Sequence, residues 1–129
     1  MKLGYTIIYV QDVPATVAFY AAAFDLPLRF MHETKTYAEM ETGPTALAFA
    51  READVELNGV AVSPNRPEAL AAAWEICLVT DNVAAAYDRA VLAGAVPVSE
   101  PQDKPWGQTV AYLRDLNGCI VELASEVVR

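Results

Sequence analysis

Two stretches of this chain repeat one another. Tyr5-Thr6-Ile7-Ile8-Tyr9-Val10-Gln11-Asp12 matches Trp74-Glu75-Ile76-Cys77-Leu78-Val79-Thr80-Asp81, with Tyr5 and Trp74, Val10 and Val79, and Asp12 and Asp81 each sixty-nine residues apart. Each stretch is a strand-like run of β-branched, aromatic and apolar residues, followed by an acid and then by helical spacing. A chain of 129 residues built this way is two copies of one supersecondary unit. Neither copy is large enough to bury both faces of its sheet, so the copies must pair, within a chain or across a dimer.

In the first copy Asp12 is placed to cap a helix, and Pro14 falls in the first turn, where a missing N–H costs little. Val13, Val17, Tyr20 and Phe24 form one apolar stripe, and Asp25 with Pro27 ends the helix. Strand-like runs follow at 28–32, 36–41 and 45–51, with Thr42-Gly43-Pro44 as a turn. The second copy keeps the order. A strand at 74–79 leads to Asp81 and Asn82 as candidate caps, then to a stripe of Val83, Ala86, Tyr87, Ala90 and Val91 that stops at Gly94. Strands are expected at 96–99, 109–114 and 120–125, the last two joined by Asp115-Leu116-Asn117-Gly118, whose Asn-Gly pair is a strong hairpin signal. The expected order is βαβββ over 1–56, a linker over 57–72 with at most one short helical turn, and βαβββ over 73–129. The fold class is α+β.

Charge and composition narrow the functions. Seventeen Asp and Glu against nine Lys and Arg give a net charge of −8, which repels phosphate backbones and argues against nucleic-acid binding. No apolar run approaches the roughly 18 residues a membrane span needs, and the first residues lack the layout of a secretory signal. A cytoplasmic location is expected. Cys77 and Cys119 are too few for a disulfide scaffold or a structural zinc site, and both are expected to be reduced, buried packing residues. There is one histidine, His32, so one chain cannot form a two-histidine metal site.

Tyr9-Val10-Gln11-Asp12-Val13 with Phe19-Tyr20, and Trp106-Gly107 with the closing stretch Leu113 to Leu123, resemble the vicinal oxygen chelate superfamily. Its members include glyoxalase I, extradiol dioxygenases, fosfomycin-resistance enzymes and bleomycin-resistance drug-binding proteins. The resemblance implies two βαβββ repeats whose curved mixed sheets surround a cleft. It also implies four metal-ligand positions, one early in each first strand and one in each last strand. With a sixty-nine-residue repeat these fall on Tyr5, Trp74, Ala48 and Glu122. Only Glu122 is a good ligand, since indole and a methyl offer no lone pair and a neutral phenol is a poor donor. No metal and no cofactor are therefore expected, and the resemblance is to the metal-free drug-binding type. Glu56, at the linker's edge, is expected to face solvent, and His32 to be a surface or hydrogen-bonded residue.

Alternation along strands then suggests an apolar, aromatic-walled cleft. Tyr5, Ile7, Tyr37, Met40, Ala48, Trp74, Trp106 and Glu122 are its candidate ligand-binding residues, and Phe30 and Met31 are further wall candidates. Trp74 is taken to share its face with Ile76 and Leu78. Tyr5 and Trp74 can stack on a flat ring or attract a cation. Both also suit a purely structural role, filling the core. Glu122 can anchor a donor, is the one catalytic candidate as a lone general base, and equally suits a structural hydrogen bond. The expected function is binding of a small hydrophobic or aromatic, even cationic, compound without metal, as in antibiotic sequestration. A glyoxalase-like lyase or isomerase, or a dioxygenase, is the alternative, and an inert interaction module a third. A homodimer is expected, with units able to exchange through the linker.

Overall fold

Each repeat folds around the pairing of its own first and last strands. The computed structural model describes residues 1–128, and the chain divides into two compact units, Met1–Asn65 and Arg66–Arg129. The division falls inside the segment read as a linker. The first unit runs β1 (Tyr5–Val10), α1 (Val13–Phe24), β2 (Leu28–Met31), β3 (Tyr37–Met40) and β4 (Ala46–Arg51), ending in a 3-10 helix over Glu52–Asn58. Its sheet order is β1-β4-β3-β2, with β1 parallel to β4 and the other neighbours antiparallel. The second unit runs β5 (Glu75–Val79), α2 (Val83–Leu92), β6 (Val96–Asp103), β7 (Thr109–Arg114) and β8 (Ile120–Ala124). Its order is β5-β8-β7-β6, with β5 parallel to β8. The expected α+β class with two βαβββ repeats and mixed sheets is the observed one.

Local chemistry explains the helices. Asp12 takes an extended conformation, and its Oδ1 accepts the Ala15 N–H at 2.9 Å. Such a cap is worth about 1 kcal/mol. Thr16, fully buried, donates its hydroxyl to the Asp12 carbonyl at 2.8 Å. Val13, Val17, Tyr20 and Ala23 bury against the sheet, where the rings of Tyr20 and Phe49 lie 4.9 Å apart. Asp25 ends α1 in the left-handed region. In the second unit Asn82, not Asp81, is the cap, its Oδ1 accepting the Ala85 N–H at 3.0 Å. The two caps are thus seventy residues apart, one more than the sequence repeat suggested. Tyr5 accordingly corresponds to Glu75, not Trp74.

β6 is longer than expected and reaches Asp103. It is an edge strand, carries Pro97 and Pro101, and its pairing with β7 slips twice. The turn between β7 and β8 is tightly tied. Asp115, buried, accepts the N–H groups of Asn117 and Cys119 at 2.8 and 2.9 Å. Next to it the Arg114 guanidinium donates to the carbonyls of Gly118, Arg66, Pro67 and Ala69. Gly118 has a positive φ of 86°, and a Cβ there would meet the Arg66 carbonyl and the Arg114 guanidinium. Gly118→Ala is therefore expected to lower unfolding stability by about 1–3 kcal/mol, read as a shifted midpoint in urea denaturation.

Candidate functional site

Strand alternation sorts each sheet into two faces. In the first unit Ile8, Val10 and Phe49 are buried, with Phe49 against Tyr20 of α1. Tyr5, Ile7 and Tyr9 of β1 point to the other face, and register carries that face across Ala46, Ala48 and Ala50 of β4 to Tyr37 and Glu39 of β3. We call it the open face. On it Tyr5 and Ile7 are 57% and 44% exposed, and Phe30, opposite Glu39, is 47% exposed. Ala46 and Ala48 beneath them are fully covered. Tyr37 donates its hydroxyl to Glu39 Oε2 at 2.8 Å. Burial first, then that bond, pushes the Tyr37 phenol up to about 12.

In the second unit the equivalent row is Cys77, Glu122 and Tyr112, adjacent in register on β5, β8 and β7. Glu75 lies two residues before Cys77 on the same face. These four groups form a closed set around the Glu122 carboxylate. Cys77 donates its thiol to Glu122 Oε2 at 3.5 Å, the Tyr112 hydroxyl is also hydrogen-bonded to Glu122, and the Glu75 carboxyl lies beside it. Desolvation first, then the bond to Glu122 and the repulsion between the two carboxylates, raises Glu75 to about 7. Glu75 as a residue keeps exposed surface, so the desolvation is partial and the neighbouring charge supplies the rest. Burial and Glu122 push the Cys77 thiol to about 11 and the Tyr112 phenol to about 12. The thiol stays protonated near neutrality and is no nucleophile.

This geometry corrects several sequence readings. Cys77 is exposed on the open face, whereas Cys119 is buried as expected. Trp74 precedes β5, and it is Glu75 and Cys77, not Ile76 and Leu78, that share a face with Glu122. The cause is the one-residue slip in the repeat, since a shift of one exchanges the faces of a strand. Met40 is fully buried and pairs with Leu47, on the face opposite Tyr37 and Glu39, so it is a core residue and not part of the open-face wall. Trp106 sits in the turn between β6 and β7, 62% exposed, with its Nε1–H donating to Gln108 Oε1 at 2.7 Å. Tyr5, Ile7, Ala48 and Tyr37 share one face of the first sheet; Glu122 stands on the second. His32 is exposed in the β2–β3 turn with Nδ1 2.7 Å from Thr34 Oγ1, and Glu56 is exposed.

Sequence reasoning missed Glu75, Tyr112 and Glu39. The signal for Glu75 was present: aligning the helix starts at Val13 and Val83, instead of the acids, gives the seventy-residue spacing. The four metal-ligand positions implied by the resemblance then hold Tyr5, Ala48, Glu75 and Glu122. A phenol and a methyl give a divalent ion nothing useful, which leaves two carboxylates where four donors are needed. That donor set does not fit a four-ligand metal. Among the described residues, no group of three or more His, Cys, Asp and Glu is arranged to hold an ion.

A family model described as the Glyoxalase/Bleomycin resistance protein/Dioxygenase superfamily matches residues 2–123. Solved structures agree in fold. One is a glyoxalase-related enzyme from Fulvimarina pelagi, 22% identical over 98% of this chain and 88% of its own, with a TM-score of 0.83. Another is a glyoxalase/bleomycin resistance protein/dioxygenase family enzyme from Burkholderia phytofirmans PsJN, 20% identical over 99% and 100%, with a TM-score of 0.78. TioX from Micromonospora sp. ML1 is 20% identical over 97% and 98%, with a TM-score of 0.72. No curated protein matches significantly. No helix among the described residues is long and apolar enough to cross a membrane.

The raised Glu75 acidity has a stability consequence with a definite sign. Below about 4.5, the ordinary value, folded and unfolded chains both hold the proton. Between there and about 7 the folded chain holds it and the unfolded chain does not, so each step up in pH favours unfolding. Thermal unfolding from pH 4.5 to 8 is expected to show a falling Tm, and Glu75→Gln, which keeps a donor toward Glu122, to flatten that fall.

Proposed function

The chain belongs to the glyoxalase/bleomycin resistance protein/dioxygenase superfamily, and from that premise we propose that it captures a small hydrophobic or aromatic compound bearing an N–H donor, without a metal. The observation that carries this reading is the Glu122 carboxylate. It stands on an open sheet face, and its partners among the described residues are a phenol, a thiol and a second carboxyl. A protonated ligand amine approaching Glu122 lets Glu75 release its proton to solvent, setting a positive charge against the two carboxylates. Each unit by itself carries apolar or ring surface of the kind ligand sites use: exposed Tyr5 and Ile7 on the first, exposed Trp106 on the second. Ala48 and Trp74 belong to the same proposal as floor and flank of their respective units. Sequestration of an antibiotic is one instance of such capture, and a homodimer in the cytoplasm is the proposed working form.

A second reading is supported by Glu75. A carboxyl raised to about 7 suits metal-independent proton transfer by an isomerase or lyase.

A thermal-shift screen of aromatic amines and aromatic antibiotics tests the capture reading, followed by titration calorimetry on the hits. Stabilisation is expected, with affinity falling about tenfold or more in Glu122→Gln, because hydrogen bonds to charged groups are the strong ones. Hits recovered unchanged by mass spectrometry support capture; a chemically altered hit supports the isomerase or lyase. Absence of any hit, or a stoichiometric divalent metal that survives dialysis and on which binding depends, overturns the proposal. Sedimentation velocity at micromolar concentration is expected to give twice the 14.0 kDa chain mass, and a monomer there removes the dimer.

A further inference from the structure

Position for position, the two open faces are not copies. The row Cys77, Glu122, Tyr112 in the second unit corresponds to Ile7, Ala48, Glu39 in the first. The last-strand carboxylate is replaced by a methyl in the first unit, yet a carboxylate stands one strand further out, on β3. It too is bonded by a phenol: Tyr37, two residues away on the same strand and face, donates to Glu39 Oε2 at 2.8 Å. Both units therefore present a carboxylate–tyrosine pair, reached through different strands.

Glu39 is half-buried. Phe30 pairs with it directly on β2, and Ala48 separates it from Ile7 on the other side. Its second oxygen, Oε1, has no hydrogen-bond partner among the described residues. Arg29 feels the field of Glu39. Its guanidinium is engaged elsewhere: it donates to both Glu41 oxygens at 2.7 Å and to the Gly43 carbonyl at 2.7 Å. Glu39 is thus a carboxylate fixed by a neighbour, set between an exposed aromatic ring and an aliphatic side chain, with one oxygen open. That is an environment suited to an aromatic cation, whose charged N–H groups meet the oxygen while its ring covers apolar surface.

We propose that Glu39 is the specificity-determining anchor on the first unit's open face, selecting cationic over neutral aromatic ligands, and that Tyr37 is its positioning residue. The assignment rests on the small-molecule capture proposed above. Tyr37 holds Oε2 and so fixes the carboxylate, leaving Oε1 available to a ligand; without it the carboxylate is free to rotate and loses part of its preference, not its charge.

Benzamidine and benzamide test this, because they have nearly the same shape and differ in charge. Their affinities are measured by NMR titration of the full chain, following the amides of Phe30, Tyr37 and Glu39. Wild type is expected to bind benzamidine about tenfold more tightly than benzamide, with shifts at those three amides. Glu39→Gln is expected to remove the preference, bringing the two affinities to within about twofold, and Tyr37→Phe to give an intermediate ratio. A wild-type Tm in both variants confirms that the fold is intact. If Glu39→Gln binds benzamidine with the wild-type preference, or the shifts fall elsewhere, the anchor assignment is overturned and the capture reading stands. If neither probe binds wild type, the anchor assignment is overturned, and the screen of aromatic amines and antibiotics decides the capture reading separately.

Discussion

Parallel pairing of the first and last strands in each unit decides what every other side chain does. β1 on β4 and β5 on β8 fix which residues lie side by side, and pleating then assigns each to one face. The helix covers one face with Ile8, Phe49 and their neighbours, and whatever alternates with them is committed to the other. A shift of one residue in β8 would turn Glu122 into the core and Val121 or Leu123 out of it. The burial of Val121 and Leu123 holds that register, so packing on one side positions the acid on the other.

How far the sequence disclosed this follows from the kind of signal each feature leaves. The strand–helix–strand order was legible because strands and helices differ in period, and the Asn117-Gly118 turn because it has its own chemistry. The superfamily was legible because order, spacing and repeat agreed. The open faces were less so. The acid that looks like a cap in the second copy, Asp81, is not the cap, and anchoring the repeat on it moved Trp74 into the place of Glu75. Met40 looked like a wall residue because strand membership was clear but phase was not. Glu39 left no signal at all: its importance lies in pairing with Phe30 and Ala48, which are distant in sequence and adjacent only through the register.

The two units have kept a scaffold while changing its surface. At equivalent places the second holds two carboxylates, a thiol and a phenol, and the first holds aliphatic and aromatic groups with a displaced acid. The backbone tolerates this because these side chains do not hold the sheets together; the covered faces do. Two carboxyl groups can be set side by side on the second sheet because Glu75, raised to about 7, holds its proton below that pH. The same relief makes that face responsive to whatever approaches it, since an opposite charge removes the need for the proton.

The prolines of β6 have an effect beyond their own strand. β6 is the longest strand of either sheet and borders solvent on one side, in a chain that is 54% hydrophobic. A long, flat edge of that kind is a template on which neighbouring molecules add strands and grow into fibrils. Pro97 and Pro101 remove two of its donors, and the register slips beside them bend the rest out of line. The irregularity of that border works as a guard against self-propagating aggregation.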